Sequence, residues 1–276
     1  MYKRIVFLPV LLILFSLFSC EEKSVEKDYN PVVLSSKDYV RAEDGIFEIL
    51  DAFYKGIYDT NVINHSYGYI DACDVLYFTA GDSMRFSYGE VNRFCQDQKN
   101  RRGMFLAYFS GQVFEPGVTA HLFTRDLFVD DFPVEAVIDI ENMGLNGSDL
   151  TEYNMKVTSS TFIHPDTSKV SSIHFTTDYV MEWAEGYLTP PIHEDDIYIV
   201  SGSSSGISSD NYSFSTVIQD PFSNYLDCCW IMFGTSQITV PGGDFTEGTV
   251  DYVLEDECNN LINFYVDGNL FYDIIK

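Results

Sequence analysis

The chain has 276 residues, of which 42 are Asp or Glu and 16 are Lys or Arg, so its formal net charge at pH 7 is -26. Such an acidic surface repels nucleic-acid phosphates and anionic lipid head groups, which excludes both as partners held by charge. Hydrophobic residues make up 46% of the chain and aromatic residues 16%. This content suffices for a large core, and because aromatic side chains favour strands it predicts an all-β protein.

The N-terminus has the layout of an export signal. A basic head, Tyr2-Lys3-Arg4, precedes an almost wholly apolar run over residues 5–18. This run is too short for a bilayer span, which takes about 20 residues, but is typical of a signal peptide. Leu17-Phe18-Ser19-Cys20 resembles a bacterial lipobox, in which the cysteine is alkylated with diacylglycerol before cleavage. We therefore expect a signal peptide over residues 1–19, with a plain secretory signal or an uncleaved anchor as alternatives.

Acyl chains on Cys20 would then hold the protein in an outer membrane. The acidic pair Glu21-Glu22 directly after this cysteine resembles the surface-export signal of Bacteroidota lipoproteins, although any linker can be acidic. The residues that follow are polar and lack a sustained periodicity, which indicates a tether. The predicted organisation is a flexible tether over residues 20–36 and a single all-β domain over residues 37–276.

Five cysteines remain besides Cys20, which is an odd number for an oxidising compartment. We predict one disulfide between Cys73 and Cys95 and a second between Cys258 and one member of the vicinal pair, Cys228 or Cys229. Vicinal residues point to opposite faces of a strand, so at most one faces a given partner. The predicted set takes Cys229, which leaves one free buried thiol.

One helix is predicted, over residues 37–59, with a single apolar face formed by Ile46, Ile49, Leu50, Phe53 and Ile57. Gly45 and Gly56 interrupt the helical pattern, so we expect a short helix that caps an end or a face of a sheet.

Beyond the helix the period of the hydrophobic pattern changes to two, which predicts antiparallel strands with one wet side. Short connections rule out the crossover helices of a parallel sheet, so we expect a meander that forms a curved sheet, a barrel or a sandwich. Turn formers between the predicted strands include Asp220-Pro221 and Asp267-Gly268, and Asp267-Gly268 gives the strongest hairpin signal. The strands are predicted near residues 74–79, 84–88, 104–111, 118–129, 134–143, 150–163, 169–184, 196–203, 210–219, 227–240, 247–254, 259–266 and 269–275.

Ordered landmarks run through most of the domain: Asn100–Gly103, Asn142–Asn146, Glu182–Gly186, Asp196–Gly202, Cys229–Ile231 with Gly234, Asp251-Tyr252 and Cys258–Asn260. Over about residues 87–276 the chain resembles a family of uncharacterised Bacteroidota, chiefly flavobacterial, predicted lipoproteins. It departs from the family pattern at residues 254–257. The resemblance implies a lipoprotein and brings no known active site.

No catalytic pattern stands out. Gly202-Ser-Ser204-Ser-Gly206 matches the G-x-S-x-G string of serine hydrolases, but a strand is predicted to follow it, which favours a Gly/Ser turn. The cysteines lack metal-ligand spacing, and the acidic clusters lack the pattern of an EF-hand. The sequence therefore predicts no metal and no cofactor. The histidines are His65, His121, His164, His174 and His193, with His174 on the polar face of its strand.

Aromatic side chains allow a sugar-binding role if their rings are exposed. The candidates are Tyr67, Tyr69, Trp183, Tyr187 and Trp230, most of which we expect in the core. The leading interpretation is a lipid-anchored protein with a non-catalytic binding or envelope-structural domain and an unidentified envelope partner. Glycan binding and an extracellular hydrolase are the alternatives.

Overall fold

The computed structural model describes residues 29–59, 67–70, 75–80, 82–95, 99–112, 114–163, 171–190, 192–228, 230–252 and 261–274. Of residues 67–70 and 75–80 only the backbone is described. The predicted signal peptide and Cys20 lie outside these ranges. Among the described residues no helix combines the length and the hydropathy that crossing a membrane requires.

The fold is all-β, as predicted, and the described part of the chain has one helix. Its fourteen described strands follow one another in chain order in a single antiparallel sheet, which is curved and does not close on itself. The helix α1 spans Asn30–Tyr58. The strands are β1 Tyr67–Ile70, β2 Val75–Ala80, β3 Ser83–Phe94, β4 Asn100–Phe109, β5 Thr119–Val129, β6 Phe132–Leu145, β7 Thr151–Ile163, β8 Ser172–Glu185, β9 Ile197–Ile207, β10 Ser213–Tyr225, β11 Ile231–Thr239, β12 Glu247–Tyr252, β13 Leu261–Val266 and β14 Asn269–Ile274.

The predicted alternation of side chains sets which face of the sheet is buried. In β6 the side chains of Val134, Ala136, Ile138 and Ile140 are all buried, and in β8 the buried set runs from Ile173 by twos to Trp183. The residues between them face outward or lie at intermediate depth. Because the period is two, one face of each strand packs inward and the other meets water.

The helix is longer and more deeply buried than predicted. It begins at Asn30, so the predicted tether loses residues 30–36 to the first two turns, and Pro31 in the first turn is well placed to start it. The predicted apolar face is buried, and so are the polar Asp38 and Glu43 at its edges and further side chains beyond them. The helix therefore lies within the curve of the sheet and does not cap it from one side.

Two predicted turns have different outcomes. Asp267-Gly268 connects β13 and β14 as a two-residue turn, with Val266 opposite Asn269 in the ladder and positive φ at both turn residues. Asp220-Pro221 is not a turn but an irregularity inside β10, where the register shifts against both neighbouring strands. Proline has no N–H to donate to the ladder, so a bulge accommodates it.

The connections of a meander alternate between the two ends of the sheet, and the helix runs from one end to the other. At what we call the proximal end, Tyr29 stacks on Phe245 of the β11–β12 connection, with ring centroids 4.6 Å apart. At the distal end, Tyr58 lies against Phe114 of the β4–β5 loop, with centroids 4.9 Å apart. Loops 110–118, 146–150 and 186–196 all connect strands at this distal end.

Gly45 lets the helix approach β7 closely. A Cβ at this position would lie 2.4 Å from Cε1 of the buried Phe162 ring. Alanine is the better helix former by about 1 kcal/mol, but overpacking a core costs roughly 1–3 kcal/mol. We expect Gly45→Ala to lower the free energy of unfolding by about 1 kcal/mol, measured by urea denaturation with circular dichroism.

Gly147 supplies the matched control, since a Cβ there would have no atom within 4 Å. Gly147→Ala should change the free energy of unfolding by less than about 0.5 kcal/mol. An unchanged or increased stability of Gly45→Ala would contradict the steric explanation.

Candidate functional site

The cysteines divide between the described and the undescribed parts of the chain. Cys20, Cys73, Cys229 and Cys258 lie outside the described residues, so the lipidation and the disulfide pairings stay predictions. No disulfide joins two described cysteines. Cys95 and Cys228 are both buried.

The G-x-S-x-G string is part of a strand. Gly202 and Gly206 both lie within β9, so the predicted Gly/Ser turn is wrong, and the segment is not a strand-to-helix elbow either. Ser204 is buried, and its hydroxyl lies 2.5 Å from that of Thr216 in β10. This serine is therefore a polar core residue, without the exposure that a nucleophile needs.

The three described histidines lie apart from one another in the fold. His121 Nδ1 lies 2.6 Å from an oxygen of Asp139, and His193 Nδ1 lies 3.1 Å from one of Asp196. His174 is exposed on the outer face of β8, as predicted. Within the described ranges no three His, Cys, Asp or Glu side chains are grouped so that they could hold a metal ion.

Of the candidate sugar-binding aromatics, the three whose side chains are described do not form one exposed row. Trp183 is buried, as expected from its strand pattern, while Tyr187 is 42% exposed. The ring of Trp230 is covered on one face by Lys99, whose Nζ lies 3.8 Å from the ring centroid. The side chains of Tyr67 and Tyr69 lie outside the described residues.

A buried ionic cluster joins the helix to the sheet. Lys99 Nζ donates to both carboxylate oxygens of Asp44, at 2.9 and 2.8 Å, and to Glu48 at 2.5 Å. Arg101 Nε donates to the other oxygen of Glu48 at 2.7 Å. Lys99 is only 2% exposed. We call these four residues, together with Trp230, the seam cluster.

The seam cluster forms because distant parts of the curved sheet meet on the helix. Lys99 and Arg101 lie at the start of β4, whereas Trp230 directly precedes β11, and the two segments approach the same helical turn. A buried ammonium over an indole face gains a cation–π interaction. The cluster therefore links one helix, one strand start and one hairpin connection that are remote in sequence.

The pKa values of the cluster follow from burial and pairing. Burial would raise the pKa of Glu48, but Arg101 and Lys99 outweigh it and lower that pKa. Burial would lower the pKa of Lys99, but Asp44 and Glu48 outweigh it and raise that pKa. Two carboxylates are thus matched by two cations, which is the condition under which buried charges are tolerated.

The cluster has little room for a ligand. The adjoining cavity, which Asp44, Asn224 and Trp230 help to line, has a volume of about 10 Å³. A single water molecule needs about 10–15 Å³. The seam cluster therefore stabilises the fold by joining the helix to the sheet.

Two further helix carboxylates are buried near the cluster. Asn224 of β10 donates to Asp51 at 2.7 Å, and burial raises the pKa of Asp51 to about 7. The hydroxyl of Tyr179 in β8 donates to Glu43, and burial raises the pKa of Glu43 to about 8. Glu43 is therefore mostly a neutral carboxylic acid at neutral pH.

The sequence pattern did not predict a role for these residues. Asp44, Glu48 and Asp51 follow one another at spacings of four and three, so they share one helix face, as solvated acids commonly do. The available signal was the concentration of Lys99, Arg101 and Arg102 at one point of a chain that has only 16 basic residues. Nothing in the pattern says that the polar face would also be enclosed.

A second feature is a set of exposed apolar side chains on the distal loops. Phe114, Leu145, Tyr187, Leu188 and Ile192 are 48, 68, 42, 81 and 49% exposed. We call these five side chains the apolar loop patch. Contiguous exposed apolar surface is uncommon on monomeric proteins and marks interaction sites.

The core holds the largest of these loops in place. Trp183 Nε1 donates to Asp196 Oδ1 at 2.9 Å, and His193 Nδ1 lies 3.1 Å from the other oxygen of this buried carboxylate. Gly186 has φ +86°, and a Cβ there would lie 2.1 Å from Asp196 Oδ1. Glycine is thus required where the loop leaves β8, and the exposed residues between these anchors have a defined position.

We expect Lys99→Met to destabilise the protein by about 3–5 kcal/mol, because it leaves Asp44 without a cation in a buried site. Urea denaturation at pH 7 measures the change. Adding Asp44→Leu to Lys99→Met should restore part of the loss, since it removes the unpaired charge.

The exposed pair of Lys156 and Asp178, with Nζ and Oδ2 3.5 Å apart, provides the control. Lys156→Met should cost no more than about 1 kcal/mol. Equal losses of unfolding free energy in Lys99→Met and Lys156→Met would show that burial does not strengthen the ion pairs of the seam cluster.

The raised pKa of Glu43 predicts a pH dependence of stability. Its ordinary value is 4.5 and its folded value is about 8, so between these limits the folded state holds a proton that the unfolded chain has lost. The free energy of unfolding should therefore fall as pH rises from about 5 to 9. Asp51 adds a slope of the same sign.

Glu43→Gln should flatten this decline without abolishing it, as measured by urea midpoints across that pH range. The exposed Glu135→Gln variant is the control and should keep the wild-type slope. If the stability of Glu43→Gln fell with pH as steeply as that of the wild type, Glu43 would not contribute to the pH dependence of stability.

No protein family, no curated protein and no solved structure matches the chain. The functional conclusion therefore depends on its own residues and geometry.

Proposed function

We propose that this protein is a lipoprotein that acyl chains on Cys20 hold in the outer membrane. Its β domain lies at the cell surface, where it binds a partner and performs no catalysis. The lipobox-like residues and the resemblance to flavobacterial lipoproteins support the anchor. The acidic pair Glu21-Glu22 supports exposure at the cell surface.

The observation that carries the binding role is the separation of the two ends of the helix. Tyr29, which follows Cys20 by nine residues, lies at the proximal end, and the apolar loop patch lies at the distal end. A helix of 29 residues is about 43 Å long at 1.5 Å per residue. The anchor would thus hold the proximal end near the lipid, and the helix would place the patch on the side facing away.

Other described features suit a binding domain better than an enzyme. The buried charges of the seam cluster are paired with one another, and Ser204 is enclosed in the core. Leu145, Tyr187, Leu188 and Ile192 of the apolar loop patch are exposed and are available to another molecule.

The disulfides belong to the same proposal. Cys95 would pair with Cys73, and Cys258 with one member of the vicinal pair Cys228 and Cys229, which suits an exported domain. Each bridge would contribute roughly 3 kcal/mol by closing a loop of about 20 to 30 residues.

Replacing Cys20 tests the anchor. In cells that express the full-length chain, Cys20→Ala should abolish labelling by palmitate and remove the protein from the outer-membrane fraction, because no thiol remains to be acylated. Ser19→Ala is the control, since it keeps a small residue before the cleavage site, and should behave as the wild type.

Protease added to intact cells then reports the location, and an exposed wild-type domain should be digested without lysis. Retention of Cys20→Ala in washed outer membranes would overturn the proposal.

A further inference from the structure

We propose that the apolar loop patch docks a basic, amphipathic segment of a partner protein. The inference deepens the binding role proposed above and rests on it, because it names the chemistry of the partner. Its evidence comes from the shape, exposure and charge of the distal loops.

The exposed residues belong to one surface. The backbone N–H of Gly117 in the β4–β5 loop donates to the carbonyl of Asn142 in β6 at 2.7 Å. Asn146, after β6, donates to Glu182 of β8 at 2.8 Å. These bonds join the loop of Phe114 to the end of the strand that carries Leu145, and that end to the strand that leads to Tyr187.

The C-terminal end of the helix packs against the inner side of this surface. The ring of Tyr58 contacts both Phe114 and Trp183, with centroids 4.9 and 4.8 Å away. Its hydroxyl lies 3.0 Å from that of Tyr153 in β7. The ring of Phe114 is thus held in place before a partner arrives, which lowers the entropic cost of binding.

The charge around the patch has one sign. Loops 110–118, 146–150 and 186–196 contain no Lys or Arg. Exposed carboxylates surround the apolar side chains, namely Glu115, Asp149, Glu185, Glu194 and Asp195. An apolar centre with an acidic rim is complementary to a segment that has apolar anchors and flanking Lys or Arg.

Other occupants fit less well. A second copy of the chain would place acidic rims against each other across a two-fold axis, which costs free energy through like-charge repulsion. Leu188 and Leu145, the most exposed aliphatic members, cannot stack on a sugar ring as aromatic side chains do. Anionic lipid head groups are repelled by the same rim.

Fluorescence anisotropy with a defined probe tests the proposal. The full-length chain is held in phosphatidylcholine nanodiscs, with empty nanodiscs as the blank. The probe is a fluorescein-labelled helical peptide of about 18 residues made of Leu and Lys with one apolar face, a size that covers about five helical turns. A peptide of Ser and Lys with the same charge reports attraction by charge alone.

The double variant Leu188→Ser with Ile192→Ser should raise the Kd of the Leu/Lys peptide at least about tenfold. The matched control is Val217→Ser with Phe233→Ser, two outward residues of β10 and β11 that are 51 and 45% exposed. This control preserves the net charge as well and should change the Kd by less than about twofold. Added salt should weaken binding of the Leu/Lys peptide by the wild-type chain, because the acidic rim contributes.

Three results would overturn the proposal. One is equal binding of the Leu/Lys and Ser/Lys peptides, which would indicate attraction by net charge alone. Another is an equal change of Kd in both double variants, which would show that the apolar loop patch is not the binding site. The third is a wild-type dimer that Leu188→Ser with Ile192→Ser dissociates in sedimentation velocity, which would assign the patch to self-association. Loss of the chain from the nanodiscs before peptide is added would instead count against the lipid anchor, and the peptide is then measured with the chain in buffer.

Discussion

The enclosure of a charged helix face by the sheet is the constraint on which the rest of this structure depends. The carboxylates of Asp44 and Glu48 can be removed from water only because they pair with Lys99 and Arg101 inside the protein. Buried charges that lose a partner cost several kcal/mol, so the start of β4 has to remain on the helix. Lys99 also contacts Trp230 before β11, and the same interaction thereby fixes how the curved sheet wraps.

The core that results contains polar side chains at positions where a sheet packed on one apolar helix face would bury only apolar side chains. Glu43 contacts Tyr179 of β8, and Asp51 accepts a hydrogen bond from Asn224 of β10. Because these carboxyl groups are held by different strands, they specify the rotation and height of the helix in the sheet. Their raised pKa values couple that placement to pH.

A fixed helix also determines the relation between the two ends of the molecule. Its start packs on Phe245 at the proximal end, and its last residue, Tyr58, supports the distal loops through Phe114 and Trp183. If acyl chains on Cys20 hold the protein, the rigid helix places the apolar loop patch on the side away from the lipid. An acidic rim around that patch would then select a basic partner and keep copies of the protein apart.

The sequence by itself determined the all-β class, the meander and the inward faces of β6 and β8, because period-two alternation and short connections act over a few residues. It also determined the Asp267-Gly268 hairpin. The tertiary structure alone decided that the helix lies within the sheet, that Asp220-Pro221 is a bulge, and that Lys99 reaches Asp44 and Trp230. Local patterns cannot give these features, since they depend on how far the sheet curves and on contacts between segments more than 50 residues apart in the chain.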